Sequence, residues 1–210
     1  MICPLCNGNS LSIVENAFKE SYLCNDCNLI FVNPELRLDE VEEKSRYSFH
    51  QNRISDQGYV DFLNQVISPT LKFIDGSMIG LDYGCGPNPV LSELIKQHNI
   101  ECDFYDPYFF PKIDLQKRYD FIFATECFEH FFSPQKEMET IFKLLKPNGI
   151  LAIMTEFWTS TEDFSHWYYP KDPTHVSFYN LESFDFICKH YGLQTIFCDE
   201  KRVILIRKNG

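Results

Sequence analysis

Clustered basic charge is what this chain most obviously lacks. Its 210 residues hold 19 Lys and Arg against 30 Asp and Glu, for a formal net charge of -11. A broad nucleic-acid footprint needs grouped cations to neutralise phosphates, so that partner class is disfavoured. Residues 1 to 45 carry only Lys19, Arg37 and Lys44, against eight acidic side chains. A small or cationic ligand, or an acidic surface kept soluble by its charge, fits this balance better. An apolar run of membrane length is missing too, since residues 121 to 132 are interrupted by Glu126, Glu129 and His130. Met1-Ile2-Cys3 leaves no space for a basic, apolar leader. The nine cysteines are odd in number, and their spacing is not that of a secreted disulfide scaffold. These absences predict a cytosolic chain with reduced thiols and no membrane association. There is no internal repeat and no low-complexity tract. With 44% hydrophobic residues, the chain suits one α/β domain plus a small appendage.

Four of the cysteines come in two tight pairs, Cys3-Pro-Leu-Cys6 and Cys24-Asn-Asp-Cys27. Each pair sets two thiolates on one turn, near the edge length of a tetrahedral zinc site, and two pairs complete four ligands. Residues 7 to 23 separate the knuckles, a zinc-ribbon spacing, and Leu11 to Leu23 can supply the connecting strands. The competing reading, a redox dithiol pair, lacks its usual strand-to-helix setting. A module this small cannot bury enough core to fold unaided, so Zn2+ is expected as a structural staple over residues 1–34. Cys85, Cys102, Cys127, Cys188 and Cys198 read as small buried hydrophobes.

Residues 35–210 alternate between helical and strand patterns. Asn33-Pro34 ends the cysteine module, because a residue before proline resists helix. Val60, Leu63, Val66, Ile67, Leu71 and Ile74 follow helical spacing, and Asp75-Gly76 closes that helix. Strands are predicted at 78–83, 100–106, 119–125 and 150–155, with a closing pair at 195–198 and 203–207. Helices are predicted at 90–97 and 135–145, and from an Asn180 N-cap to His190 with Gly192 ending it. Lys146 to Gly149 reads as a turn. The order implies an α/β fold with a mainly parallel sheet. Residues 157–179 are long, aromatic and aperiodic, which marks a functional loop more than a connector.

Asp82-x-Gly84-x-Gly86 follows an apolar strand and precedes a helix, the setting of a nucleotide-cradling turn. Asp106 ends the next strand, twenty residues after Gly86, where a carboxylate can accept both ribose hydroxyls. The third glycine of dinucleotide turns is absent: Pro87-Asn88-Pro89 stands there, and two prolines remove N–H donors that a pyrophosphate would use. Asp82 would repel phosphate and suit a cation. S-adenosylmethionine offers an ammonium and a sulfonium and has no phosphate.

Over residues 40 to 208 the chain resembles the class I S-adenosylmethionine-dependent methyltransferases. The carriers are Leu81-Asp82-Tyr83-Gly84-Cys85-Gly86, Tyr105-Asp106-Pro107, the run from Tyr119 through Thr125-Glu126-Cys127-Phe128-Glu129-His130, and Leu144 to Leu151 with its Lys146-Pro147-Asn148-Gly149. The ribbon before Asn33-Pro34, and Asp172-Pro173-Thr174-His175-Val176, resemble a bacterial group of such enzymes. The resemblance implies a Rossmann-like domain that converts S-adenosylmethionine to S-adenosylhomocysteine. It implies Gly84, Cys85 and Gly86 along the methionine part of the cofactor, Asp82 near its amino group, and Asp106 with Pro107 at the ribose. Thr125, Glu126 and Cys127 would face the transferred methyl, and Tyr47 would cap the cofactor carboxylate. Twelve residues, Pro107 to Arg118, are too few for the family's usual helix, strand and helix, so its third strand is expected to be shortened or missing.

Methyl transfer needs alignment above all, and a base only when the acceptor must lose a proton. Glu129, His130, His166 and His175 are the candidates for that base. His130 could equally cap the adjoining helix. Trp158, His166, Tyr168 and Tyr169 could box a cationic or planar acceptor, or simply pack a lid onto the sheet edge. His50, His98 and His190 read as surface or helix-end residues. The leading functional reading is methylation of a small molecule. The competitors are an RNA or protein methyltransferase that docks its substrate on the ribbon, and an inactive cofactor-binding interaction protein. The acidity of the ribbon argues against RNA.

Overall fold

The computed structural model describes residues 1–47 and 53–210; His50 lies outside the described residues. The chain opens with an antiparallel meander, β1 (Leu11–Val14), β2 (Ser21–Cys24) and β3 (Ile30–Val32), after which Asn33 caps a 3-10 turn at Pro34–Leu36. Helices α1 (Glu40–Tyr47) and α2 (Gln57–Thr70) follow. Asp56 caps α2 by accepting a hydrogen bond from the Tyr59 N–H, and Leu63, Val66 and Ile67 form its buried stripe.

The main sheet begins with β4 (Ile79–Tyr83), α3 (Val90–Gln97) and β5 (Glu101–Tyr105), then continues with β6 (Tyr119–Thr125), α4 (Pro134–Leu144) and β7 (Leu145–Met154). It closes with α6 (Leu181–Tyr191), β9 (Leu193–Cys198) and β10 (Val203–Lys208). The strand order is β5-β4-β6-β7-β10-β9. The first four strands are mutually parallel, and β10 runs antiparallel to both neighbours. The Asn180 cap is present as a capping box with Ser183, and Gly192 ends α6 in the left-handed region at φ 64°. Strand β5 is the sheet edge. Residues 107–118 contribute no strand beyond an isolated bridge between Asp106 and Phe110, in line with the expectation that the family's third strand is shortened or missing. Two faces of the sheet carry two buried clusters, one under α4 and α6 and the other under α2 and α3. Among the described residues no helix is long and apolar enough to cross a membrane.

Two local readings of the sequence are revised. Residues 146–149 do not form a turn ahead of β7. They belong to it as an irregular stretch: Leu145 pairs with Tyr119 and Ile150 with Phe121, and Asn148 takes φ 62° to absorb the extra length. The aromatic stretch 157–179 is not a plain loop either. It forms α5 (Thr161–His166), a 3-10 turn at Tyr169–Lys171 and the short strand β8 (Ser177–Phe178). Strand β8 pairs with β3, making the N-terminal meander a four-stranded sheet of order β1-β2-β3-β8. Phe164, Tyr169, Val176 and Phe178 then pack on Val14, Ile30 and Val32 in a third buried cluster. Cys3, Leu5, Cys27, Leu29 and Phe31 join the core beneath α4 and α6. The N-terminal module and the larger sheet therefore share apolar contacts that neither covers alone.

Candidate active site

The four N-terminal cysteines converge. Sγ of Cys3 lies 3.5 Å from Sγ of Cys27, and Sγ of Cys6 lies 3.5 Å from Sγ of Cys24. All four sulfurs fall within 4.8 Å of one another, and none is in a disulfide. A tetrahedral site with bonds of about 2.3 Å has edges of about 3.8 Å, so the donor set fits zinc. The Gly8 N–H donates to Cys6 Sγ at 3.3 Å, the kind of contact that steadies a thiolate. Burial raises the Cys6 thiol, while the neighbouring Cys27 thiol lowers that of Cys3.

A cavity of about 610 Å³ lies at the carboxyl ends of β4, β5 and β6. Parallel α/β sheets hold ligands at this edge, because the strand-to-helix turns open there. Of the sequence candidates for cofactor contact, Tyr47, Gly84, Cys85, Gly86, Asp106, Pro107, Thr125, Glu126 and Cys127 all line it. Gly84 has φ 81°, and a Cβ built there would stand 2.7 Å from Cys127 Cβ. Gly86 has φ 66° and no atom within 4 Å of a built Cβ, so the backbone lies open to a ligand. Asp106 stitches the two turns together: its Oδ2 accepts from the Gly86 N–H at 3.0 Å, and its Oδ1 from the N–H groups of Tyr108 and Phe109 at 2.9 and 3.0 Å. Asp82 sits beneath the glycine turn, 3% exposed and outside the cavity lining. Burial, reinforced by the nearby Asp106, raises its carboxyl to about 7 against hydrogen bonding from the Ser92 backbone.

The turn after β6 is built for a polar ligand. Glu126 takes φ 48°, a left-handed conformation that is uncommon for a side-chain-bearing residue and clusters at functional sites. Burial and the neighbouring Glu129 hold the Glu126 carboxyl well above the usual carboxylate range. Thr125 Oγ1, Glu126 Oε1 and Glu129 Oε2 are buried without hydrogen-bond partners, and all three residues line the cavity. Orphaned buried polar atoms are rare in a finished fold, so three at one cavity point to a missing partner.

Glu129 and His130 lie on the 3-10 turn Phe128–His130, and His175 reaches the same wall from the segment before β8. The His130 and His175 rings meet edge to face, 4.8 Å between centroids. Burial lowers the His175 imidazole to about 4, so it is neutral near pH 7. Trp158, His166, Tyr168 and Tyr169, expected at the acceptor, do not line the cavity. Trp158 is buried in the third cluster, His166 is exposed at the end of α5, and Tyr168 is exposed and donates to Glu156. Tyr169 is buried behind the cavity wall, its ring 4.2 Å from that of His175. For Trp158 and Tyr169 the cause is apolar area: their rings are used to seat the N-terminal sheet. His98 and His190 are exposed at helix ends. Cys102, Cys127 and Cys188 are buried as expected, whereas Cys85 and Cys198 are only half-buried.

Sequence reasoning missed the cover of the cavity. Glu43 on α1 is 5% exposed and accepts hydrogen bonds from Tyr47 and Tyr108, which ties α1 across the segment after β5. The sole signal was Tyr47 itself, because the partner tyrosine lies in a stretch without periodicity. The lining also gathers Glu40, Glu137 and Asp172, with no Lys or Arg among the described residues that form it.

A family model described as a methyltransferase domain matches residues 53–196. Solved structures share the fold at low identity. An O-methyltransferase family protein from Burkholderia thailandensis has a TM-score of 0.52 at 13% identity, covering 80% of this chain and 63% of that one. This chain thus spans less than two thirds of that neighbour. A chain from the complex between the Haloferax volcanii Trm112 methyltransferase activator and the putative methyltransferase has a TM-score of 0.53 at 11% identity, covering 80% and 98%. A putative methyltransferase from Bacillus halodurans has a TM-score of 0.50 at 10% identity, covering 70% and 99%. No curated protein matches. The matched segment runs from just before α2 into β9 and contains the glycine turn, Asp106 and the whole turn after β6, so the chain belongs to this methyltransferase domain family.

Proposed function

We propose that the chain methylates a small molecule whose reacting atom lies between the turn after β6 and the His130–His175 wall. The observation that carries this reading is the single continuous cavity joining the glycine turn and Asp106 to Glu126, Glu129, His130 and His175. Its volume, about 610 Å³, suits the cofactor with a small acceptor beside it. Gly84, Cys85 and Gly86 would follow the methionine part, Asp82 beneath the turn would offset its ammonium, Asp106 with Pro107 would meet the ribose, and Tyr47 would stand at the carboxylate end. In the reaction a lone pair of the acceptor attacks the methyl carbon, the carbon–sulfur pair returns to sulfur, and neutral S-adenosylhomocysteine leaves. The chain supplies alignment of the acceptor with the methyl. A lining rich in carboxylates and empty of Lys and Arg disfavours phosphate-bearing acceptors, RNA among them.

Residues 1–34 act in this reading as a structural zinc ribbon and 35–210 as the catalytic domain, with thiols reduced in the cytosol. The ribbon's contribution to catalysis is positional. Lys19 donates to the carbonyls of Asp172 and His175 at 2.6 Å each, and so fixes the segment that carries His175. Calorimetry with S-adenosylhomocysteine tests the cofactor half, and release of that product across a panel of small amines, alcohols and phenols tests the acceptor half. Absence of any S-adenosylhomocysteine binding by the folded chain would sink the reading.

A further inference from the structure

We propose that Glu129, His130 and His175 form a binding site for a first-row divalent cation in the acceptor half of the cavity, separate from the four-cysteine cluster. The inference rests on the reading of that space as the acceptor side, but its geometry stands by itself. Their ligand atoms all lie within 4.8 Å of one another, and Glu129 Oε1 is 3.8 Å from His130 Nε2. A tetrahedral ion with bonds of about 2.1 Å has ligand edges of about 3.4 Å, so the trio is a slightly expanded coordination face.

The tautomers are set for ligation. His130 Nδ1 is 3.1 Å from the Thr174 carbonyl and His175 Nδ1 is 2.9 Å from the Tyr169 carbonyl. A carbonyl only accepts, so each Nδ1 carries the proton and donates. In each neutral ring Nε2 is left with its lone pair. A backbone carbonyl behind the far nitrogen is the usual outer shell of a metal-bound imidazole. Glu129 supplies the independent sign: it is 1% exposed, and its Oε2 has no partner. The His130 Nε2 lone pair thus lies 3.8 Å from Glu129 Oε1, while the second oxygen of that buried carboxylate is left without a hydrogen bond. The scaffold is rigid, since the Val176 N–H donates to the Glu129 carbonyl at 2.7 Å and locks the two ligand segments together. Two imidazoles and one carboxylate favour Zn2+, Co2+ or Fe2+ over Mg2+ or Ca2+. Three protein ligands leave open positions toward the cavity, where an acceptor oxygen or water can bind.

The test is a Co2+ titration of the full chain with its ribbon already holding zinc, followed by visible absorption and calorimetry. Expected are one further ion per chain and d–d bands without the thiolate charge transfer that a cysteine site would give. His175→Ala and Glu129→Gln should weaken Co2+ by about a hundredfold or more, beyond what loss of an outer-shell partner costs. Both should keep the ribbon zinc and S-adenosylhomocysteine binding. If a variant fails to fold, Co2+-induced paramagnetic shifts of the wild-type histidine resonances decide the matter. A folded wild-type chain that binds S-adenosylhomocysteine yet takes up no ion beyond the ribbon overturns the site and leaves the methyltransferase reading standing. Failure to bind S-adenosylhomocysteine would strike that reading instead.

Discussion

Asp82→Asn probes the cofactor end of the cavity through its charge, with little change of shape. The wild-type carboxyl is raised from 3.8 to about 7, chiefly by burial. Its folded value therefore exceeds its unfolded one. For such a group the stabilising contribution is complete below the unfolded value and is lost as pH rises through the folded value. Three pH units correspond to about 4 kcal/mol as a ceiling, at about 1.4 kcal/mol per unit. Ligand-free wild type should lose stability between about pH 4 and pH 7 relative to Asp82→Asn, which has no charge to desolvate. The cofactor's ammonium reverses the preference, because a nearby cation favours the carboxylate. Wild-type affinity for S-adenosylhomocysteine should then fall roughly tenfold per pH unit below about 6, and roughly a hundredfold in all from pH 8 to pH 5. In Asp82→Asn that dependence should vanish, with weaker binding at pH 8. Calorimetry and thermal unfolding across pH read both effects. Superimposable pH profiles for the two proteins would refute the argument, since other raised carboxyls such as Glu126 are common to both.

Three further outcomes are expected. With zinc in the four-cysteine site as proposed, stripping it, or Cys24→Ser, should lower the Tm of the whole chain in one transition, because β3 carries β8 and the N-terminal module shares the core beneath α4 and α6; a surviving Tm measured by calorimetry would contradict that coupling. Gly84→Ala should cost about 1 kcal/mol or more from its positive φ, plus the 2.7 Å clash with Cys127, and should weaken S-adenosylhomocysteine binding; denaturant unfolding and calorimetry would show it, and unchanged affinity would count against the turn as a cofactor wall. Phe178→Ala should destabilise by about 3 to 5 kcal/mol in denaturant unfolding, since its ring is 1% exposed and packs against Phe164 and Trp167; a loss below about 1 kcal/mol would mean that the third cluster is not a true core.

The sequence by itself determined the parts whose physics is local. A Cys-x-x-Cys turn places two thiols together wherever the chain goes. Asp82-x-Gly84-x-Gly86 can be satisfied only by a positive-φ turn after a strand, and Asn180 with Ser183 and Gly192 delimit a helix by their own hydrogen bonds. The count of residues between Asp106 and Tyr119 left too little chain for the family's helix, strand and helix, and so required its third strand to be shortened or missing. Tertiary structure decided everything that depends on which surfaces meet. The aromatic stretch 157–179 carries no period, because its rings are shared between β1–β3 and the wall behind His175, and only the pairing of Ser177–Phe178 with Ile30–Phe31 reveals it. Tyr168 and Tyr169 are adjacent in sequence, yet one faces solvent and the other is buried. Glu129, His130 and His175 were legible as polar residues, but their convergence needed a 45-residue excursion held by the Val176–Glu129 hydrogen bond. Local chemistry fixes turns, caps and knuckles, whereas burial and long-range pairing assign which of the remaining side chains reach the cavity.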